Sequence, residues 1–137
     1  MSADRIALTT HFVTFWEHPN TLHDNGPARQ FPEGKVYCRF TVVMGDQQPF
    51  AGASDTGLVK QLGRIWLQVF LPEQAGVGAG DPLIADFVQM FRHARLDEGR
   101  LTCGTPEFGR NNTPKNGYVM RSVNIPFHSL RRYSENG

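Results

Sequence analysis

The sequence predicts an α+β fold in which one main helix packs on a mostly antiparallel β-sheet, giving two layers. Three observations indicate this fold: apolar residues alternate in residues 35–44 and 64–71, apolar residues recur at helical spacing in residues 81–94, and two more strand-like segments follow at 100–108 and 117–127. The expected order is a short N-terminal element followed by β-β-α-β-β. Residues 1–137 are expected to form one domain, since this length is typical of single domains.

The first two predicted strands differ in how their faces are divided. In residues 35–44, Cys38 and Phe40 belong to an apolar face, whereas Arg39 lies on the opposite face. In residues 64–71 both faces carry apolar side chains, with Trp66 and Phe70 opposite the main stripe. This pattern predicts a central strand or an outer face covered by another subunit. The connection at residues 45–57 contains three glycines and one proline and is predicted to be a loop.

The helix has the clearest signal of any element. Asp81 is expected to cap its N-terminus, with Pro82 in the first helical position. Apolar residues then follow at helical spacing up to Ala94, and Gly99 ends the segment. Residues 109–116 are predicted to be a hairpin loop, and Arg121 interrupts the apolar face of the last strand without a local explanation.

The two ends of the chain are less regular. Residues 3–12 fit a short helix and residues 10–16 fit a short strand, so the sequence leaves both open. The polar segment 129–137 is predicted to be a disordered tail.

Composition argues against several classes of function. Fourteen Lys and Arg face thirteen Asp and Glu, giving a net charge of +1, whereas binding nucleic acid through its phosphates needs a basic excess. No segment approaches the roughly 18 apolar residues that a membrane helix needs, and no signal peptide is predicted, so the chain is expected to stay in the cytoplasm. Two cysteines cannot build a disulfide framework, and Cys38 and Cys103 are expected to be buried free thiols.

No motif predicts a catalytic, cofactor-binding or metal-binding residue. The five histidines and two cysteines lack zinc spacing, and no nucleophile elbow is present. The glycine-rich segment 76–80 precedes a helix as a phosphate loop does, but it lacks the Lys-Ser/Thr pair, so a flexible loop is the preferred interpretation. We therefore expect a protein that needs no cofactor and is not an enzyme.

Aromatic residues are more numerous than one helix over a small sheet requires. The chain has ten Phe, two Trp and three Tyr, and Trp66, Phe70 and Tyr118 fall on faces opposite the core stripes. Such residues predict either a partner surface or a core that uses both faces of the sheet, and the sequence leaves both open. The polar segments 45–57 and 109–116 fit contact loops on a rigid sheet, and they fit ordinary solvent loops nearly as well.

Four segments, taken in order, resemble a family of small phage tail proteins. They are F-W-E-H-P-N at residues 15–20, the strand at 35–44, the strand–proline–glycine-loop–helix segment at 65–91, and Y-V-M-R-S-V-N-I-P-F at 118–127. In the third segment, the positions that match the family are Val69, Phe70, Pro72, Gly76, Gly78, Ala85, Asp86 and Phe91. The family is that of the tail terminators of long-tailed phages and prophages, similar in fold to the minor tail protein U of lambda-like phages. Its members usually open with a longer amphipathic helix than the residues before Val13 provide here.

The resemblance implies a structural role in virion assembly. Tail terminators form a homo-oligomeric ring, commonly a hexamer, that caps the tail tube and presents a surface to the head–tail connector. The implied partners are other copies of the chain, the tail tube protein and the connector protein. Assembly is expected in the bacterial host cytoplasm, with a final place in the virion tail. Neither a membrane nor direct nucleic-acid binding is expected.

Candidate interface residues come from the sheet and from the two polar loops. Trp66, Phe70 and Tyr118 are expected on the sheet face that meets a neighbouring subunit, and the loops are expected to meet the tube or the connector. The loop candidates are Gln47, Gln48, Phe50, Arg110, Asn112 and Lys115.

Two other functions remain open on the sequence. One is a small-ligand-binding or enzymatic α+β domain that uses the cleft between sheet and helix with Cys103 or a histidine. The other is a nucleic-acid-binding domain with exposed aromatic residues, which the balanced charge disfavours.

Overall fold

A computed structural model of the chain describes residues 2–23, 34–49, 57–109 and 117–136. Three helices and seven strands are present in these ranges, and two 3₁₀ turns, Glu73–Ala75 and Val77–Gly80, precede the second helix. In chain order the elements are α1 (Ala3–Phe15), β1 (Thr21–His23), β2 (Tyr37–Pro49), β3 (Leu58–Pro72), α2 (Asp81–Phe91), β4 (Arg95–Leu96), β5 (Leu101–Cys103), β6 (Glu107–Phe108), β7 (Tyr118–Arg132) and α3 (Tyr133–Asn136).

The strands form one sheet in the order β1-β2-β3-β7-β5-β4, with β6 also paired to β7. The β1–β2 pair is parallel and the other pairs are antiparallel. Strands β3 and β7 have 15 residues each and pair along their whole length, from Leu58 opposite Arg132 to Pro72 opposite Tyr118. This long central pair is the scaffold to which the shorter strands and the helices attach.

The predicted fold class is wrong. The protein is mostly β, with a curled sheet shaped like half a barrel, and not a two-layer α+β domain packed by one main helix. The three long strands extend beyond their predicted bounds: β2 continues to Pro49, β3 begins at Leu58 and β7 continues to Arg132. The extensions of β2 and β7 are rich in polar residues, and the extension of β3 has no regular apolar alternation. Backbone pairing with the neighbouring strand nevertheless holds all three in the sheet.

Two helices, not one, cover the inner face of the sheet. The N-terminal element is the helix α1, with Ser2 at its N-cap accepting a hydrogen bond from the Arg5 backbone N–H at 3.1 Å. On the inner face, the Phe12 ring of α1 stacks on Phe40 of β2 at 4.1 Å between ring centroids. Phe91 of α2 stacks on the other side of this cluster, with its centroid 5.8 Å from Phe40. The core therefore lies between one face of the sheet and both helices.

Helix α2 begins and ends differently from the prediction. The N-cap position belongs to Gly80, and Asp81 is the first helical residue without a side-chain capping bond. Instead, its carboxylate pairs with Arg121 at 2.6 Å, and Arg121 also donates to the Val77 carbonyl at 2.8 Å. This tie explains why a cation interrupts the apolar face of β7. The helix ends at Phe91, before the end of the predicted apolar stripe at Ala94 and before the predicted stop at Gly99. The backbone at His93 turns into the left-handed region at φ 53°.

The predicted strand at 100–108 is two short strands separated by residues 104–106. At this break, the Gly104 backbone N–H donates to the Pro126 carbonyl at 2.7 Å. The predicted loop at 109–116 lies outside the described residues, apart from Gly109.

The expectation of a disordered tail at 129–137 is wrong for the part that the structure describes. Ser129 and Arg131 belong to β7 and are buried, and a short helix follows to Asn136. The Arg131 guanidinium pairs with the buried carboxylate of Asp4 at 2.5 Å and with Asp97 at 2.6 Å. Burial opposes the charge of Arg131, but the hydrogen bonds to these carboxylates raise its pKa above the ordinary value. The C-terminal segment is therefore anchored to α1.

Candidate functional site: the outer face of the sheet

The side chains on the sheet face opposite the core form the surface that we call the outer face. The register assigns to it alternate residues of the three long strands, because residues paired across an antiparallel ladder point to the same side. Helices α1 and α2 pack on the inner face and leave this side half-buried to exposed along most of its length. The residues concerned are Tyr37, Arg39, Thr41 and Val43 of β2, Arg64, Trp66, Gln68 and Phe70 of β3, and Tyr118, Met120, Ser122, Asn124 and Pro126 of β7.

Three aromatic rings form a cluster at one end of the outer face, which we call the aromatic patch. Tyr37 stacks on Phe70 with a centroid distance of 4.6 Å, and it meets Tyr118 edge-on at 5.5 Å. The Tyr118 hydroxyl accepts a hydrogen bond from the Gly34 backbone N–H at 3.1 Å. Burial raises the pKa of the Tyr37 hydroxyl, Tyr118 adds to the rise, and Arg39 partly offsets it. The patch is thus a set of packed aromatic rings that also carries the hydroxyl groups of Tyr37 and Tyr118.

The structure brings the three predicted sheet-face residues to one side. Trp66 and Phe70 are both half-buried and lie four residues apart on the outer face of β3, and Tyr118 lies at the neighbouring end of β7. Sequence reasoning missed Tyr37, although its place opposite Cys38 in the alternating strand was a usable signal. Their role in binding a partner stays a prediction.

Gln47 and Gln48 lie in β2 and not in a loop, which corrects the sequence prediction. Gln47 is paired with Gln61 and Gln48 with Lys60, after an irregularity in the β2 register between Met44 and Gln47. The remaining loop candidates, Phe50, Arg110, Asn112 and Lys115, lie outside the described residues.

Charged residues on the outer face are mostly cations. Arg64 pairs with Glu107 of β6 at 2.7 Å and donates to the Asn124 side chain at 2.5 Å. The register also places Arg39, Lys60 and Arg132 on this side, without a carboxylate facing them within the described strands. The outer face therefore combines aromatic rings with a local positive charge, although the whole chain is nearly neutral.

The two thiols that an enzymatic role could use are buried by the fold. Cys38 and Cys103 are both buried and free, as the sequence predicts. Burial raises the pKa of Cys103 to about 12, and it raises the pKa of Cys38 to about 11 despite a hydrogen bond to Thr21. A thiol that stays protonated is a poor nucleophile, so neither residue is suited to covalent catalysis.

The described residues contain neither a cluster of three or more His, Cys, Asp or Glu suited to a metal ion nor a helix of the length and apolarity needed to cross a membrane. His18 contacts Asp86 of α2 at 2.7 Å and the Trp16 ring at 4.7 Å between centroids. His11 lies within 3.3 Å of the Met90 carbonyl oxygen. These two histidines connect α1 and the segment after it to α2.

Comparison with known proteins identifies similar folds only. No protein-family model matches the chain, and no curated protein matches its sequence. One similar solved structure, known only by a sequence identifier, has a TM-score of 0.65 at 17% identity and aligns over 97% of this chain and 98% of its own. A second belongs to the virion of a native gene transfer agent particle, with a TM-score of 0.52 and 17% identity over 92% of each chain. At this identity the similarity establishes a shared fold: nearly the whole chain folds like a chain of the gene transfer agent virion.

Proposed function

We propose that this protein is a structural subunit of a phage-like particle and acts as a tail terminator. In this role it forms a ring, a hexamer on the tail, that caps the tail tube and offers a surface for head–tail joining. The observation that carries the proposal is the fold shared with a chain of the gene transfer agent virion over 92% of both chains. The sequence resemblance to tail terminators narrows the proposal from a virion component to this position in the tail.

The residues that carry the resemblance occupy structural positions. Phe70 and Pro72 lie at the end of β3, and Phe91 is a buried core residue at the end of α2. Gly76 lies between the two 3₁₀ turns, and Gly78 lies in the second of them, which leads into α2. A motif of this kind preserves a fold, so it contributes a shared fold to the proposal and not a catalytic site.

The two ends of the central strands could contact two different partners. The β2–β3 connection joins the sheet at the end where Leu58 pairs with Arg132, and the β6–β7 connection joins it where Tyr118 pairs with Pro72. Fifteen paired residues separate these ends by about 45 Å at the usual rise of a strand. Within the proposal, one end of the sheet faces the tube and the other faces the connector.

The protein is proposed to have no enzymatic activity. Its two thiols are buried and protonated at neutral pH, so the enzymatic alternative cannot rely on Cys103 as a nucleophile. The proposed function relies on shape and local surface patches, for which a balanced net charge is no obstacle.

The test is tail capping observed by electron microscopy. Purified tail tubes from the same particle are mixed with the protein in excess, and tube ends and lengths are measured. We expect a ring at one end of each tube and no further elongation after tube protein is added. Tubes that stay uncapped and elongate as before would reject the tail-terminator role.

Two sets of predicted interface residues supply a sharper version of the same experiment. We compare the pair Gln47→Ala/Gln48→Ala with the triple change Arg110→Ala/Asn112→Ala/Lys115→Ala. If the two ends of the sheet serve different partners, one set lowers tube capping and the other lowers joining of capped tails to heads. Equal loss of both activities in both sets would contradict this division.

A further inference from the structure

Helix α1 has an unusual composition for a helix at the surface of a small protein. Its only Asp, Glu, Lys or Arg residues are Asp4, which is buried, and Arg5, which donates to the Val42 carbonyl at 3.0 Å. On its solvent side, Ile6 is 48% exposed and Val13 is 53% exposed, and their spacing of seven residues puts them on one stripe. Thr10 and Thr14 are also exposed, so this side of the helix carries apolar and uncharged polar side chains. Exposed apolar side chains grouped on one surface indicate a place where a partner binds.

A groove beside this helix extends the apolar surface, and we call the groove together with the stripe of Ile6 and Val13 the α1 groove. The groove itself consists of two hollows of about 470 and 560 Å³, which meet at His11 and Phe15. Phe15 is 61% exposed there. The apolar lining comes from Ile6, Ala7, Phe15, Trp16, Met90 and Leu96.

The charge of the α1 groove is opposite to that of the outer face. Glu17, Asp86 and Asp97 line the two hollows, whereas neither Lys nor Arg does so among the described residues. Asp97 is paired with Arg131, but Glu17 is exposed and the Asp86 side chain remains 53% exposed beside His18. Two acidic side chains at the rim are therefore available to a basic partner surface.

The outer face has the properties that such a partner surface requires. It presents the aromatic patch, the 48%-exposed side chain of Val43, and the cations Arg39, Lys60 and Arg132. It lies on the opposite layer of the molecule from α1. One molecule can therefore use its α1 groove on one neighbour and its outer face on another.

We propose that the α1 groove of one copy docks on the outer face of a second copy in a head-to-tail contact. A contact between two different patches is heterologous, and repeated heterologous contacts give closed rings when the rotation between copies closes. The proposal deepens the proposed function by naming the two surfaces, and it rests on that function only for closure into a ring on the tail.

Three matched substitutions test the contact. Val13→Glu puts a charge on the α1 stripe, Val43→Glu puts one on the outer face, and Val77→Glu is the control. Val77 is 44% exposed, so all three valines start from similar exposure, and Val77 lies in a 3₁₀ turn outside both surfaces. Circular dichroism and thermal unfolding establish first that each variant is folded.

Sedimentation velocity over a concentration series then measures association. Wild type and Val77→Glu should associate as concentration rises, and Val13→Glu and Val43→Glu should each stay monomeric over the same range. An equimolar mixture of Val13→Glu and Val43→Glu should form dimers and nothing larger, because each variant keeps one intact patch. This recovery is expected only of a heterologous contact.

Several outcomes would overturn the proposal. The first is that wild type stays monomeric up to about 1 mM, a concentration at which a contact with a millimolar Kd would be half formed. The second is that the mixture of Val13→Glu and Val43→Glu stays monomeric. The third is that either of these two variants associates on its own. Salt-sensitive binding of a single-stranded oligonucleotide to wild type that Val43→Glu abolishes would assign the outer face to nucleic acid instead.

Tube capping by the same variants separates this proposal from the proposed function. Capping by Val13→Glu and Val43→Glu at the wild-type level would reject the contact and leave the tail role intact. The expected association pattern, combined with no capping by wild type, would support the contact and reject the tail role.

Discussion

At the residue scale, the carboxylate of Asp4 connects the two ends of the chain. It is fully buried and accepts hydrogen bonds from Ser129, from Arg131 at 2.5 Å and from Asn136 at 2.8 Å. Burying a carboxylate costs free energy unless opposite charge and donors surround it, and here both are present. Because these donors are 125 or more residues away in sequence, no local pattern predicts the cluster.

Breaking this pair should be strongly destabilising. We expect Arg131→Met to lower the free energy of unfolding by about 3 kcal/mol, because the Asp4 carboxylate is left buried without its cation. Urea denaturation followed by circular dichroism measures the loss. Arg132→Met is the matched control: Arg132 is exposed, so its replacement should change stability by less than about 0.5 kcal/mol. Equal effects of the two changes would contradict the role given to the buried pair.

The buried thiol of Cys103 should make stability sensitive to alkaline pH. Its ordinary pKa is 9.0, and burial raises the pKa to about 12 in the folded protein. Between these values the unfolded chain loses the proton while the folded chain keeps it. The contribution to stability is therefore complete below pH 9 and decreases as pH rises towards 12.

The comparison with Cys103→Ala isolates this effect from other groups that titrate in the same range. Between pH 8 and pH 10, the free energy of unfolding of wild type should fall by about 1.4 kcal/mol relative to that of Cys103→Ala. Urea denaturation at both pH values gives the difference. A difference that is independent of pH would show that the thiol is not held protonated.

At the element scale, the β2–β3 ladder and the core ring of Phe127 pack closely around Gly63. A Cβ atom at this position would lie 2.4 Å from the Phe127 ring and 2.7 Å from the Val43 carbonyl oxygen. The β2 register changes nearby, between Met44 and Gln47, where Gln61 donates to the Gly45 carbonyl at 2.9 Å. Glycine at 63 lets the core ring approach the backbone of the ladder.

Gly63→Ala should therefore destabilise the protein by about 2 kcal/mol through overpacking. Gly78→Ala is the control, since the nearest atom to a Cβ there is 3.9 Å away and its effect should stay within about 0.5 kcal/mol. Chemical denaturation of both variants measures the difference. If Gly63→Ala were as stable as wild type, the surrounding backbone and the Phe127 ring could move to accommodate a Cβ atom at little cost.

At the scale of the whole molecule, opposite charges lie on opposite layers of a nearly neutral chain. Glu17 and Asp86 border the α1 groove, while Arg39, Lys60 and Arg132 lie on the outer face. The net charge of +1 does not reveal this division, because the positive and negative charges of the two sides nearly cancel in the sum. The division matters only when copies meet, since each side then faces its opposite.

Self-association of the wild type should weaken as salt is added. Raising the ionic strength from 0.05 M to about 0.5 M shortens the Debye length several-fold and screens the charges that meet at the contact. Sedimentation velocity should show a several-fold weaker association at high salt. The aromatic and aliphatic part of the contact should persist, so association that strengthens with salt would indicate a contact without charge complementarity.

The sequence by itself determined the parts of the fold that leave a local periodic signal. The cores of β2, β3 and β7, the apolar stripe of α2 and the burial of both cysteines follow from alternation or helical spacing over a few residues. The same alternation placed Trp66 and Phe70 on the face opposite the core. The prediction of one main helix was wrong because α1 has too weak an amphipathic pattern to be distinguished from a strand.

Only the tertiary structure decided the features that depend on distant partners. Arg121 is accommodated on an apolar face because it pairs with Asp81. Residues 129–136 are held in place because Asp4 pairs with Arg131 and accepts a hydrogen bond from Asn136. The polar ends of β2, β3 and β7 are strands because their neighbours supply backbone hydrogen bonds, which leave no mark on side-chain pattern. The physical reason is the same in each case: the stabilising partner comes from another part of the chain, so its effect exists only after the sheet has formed.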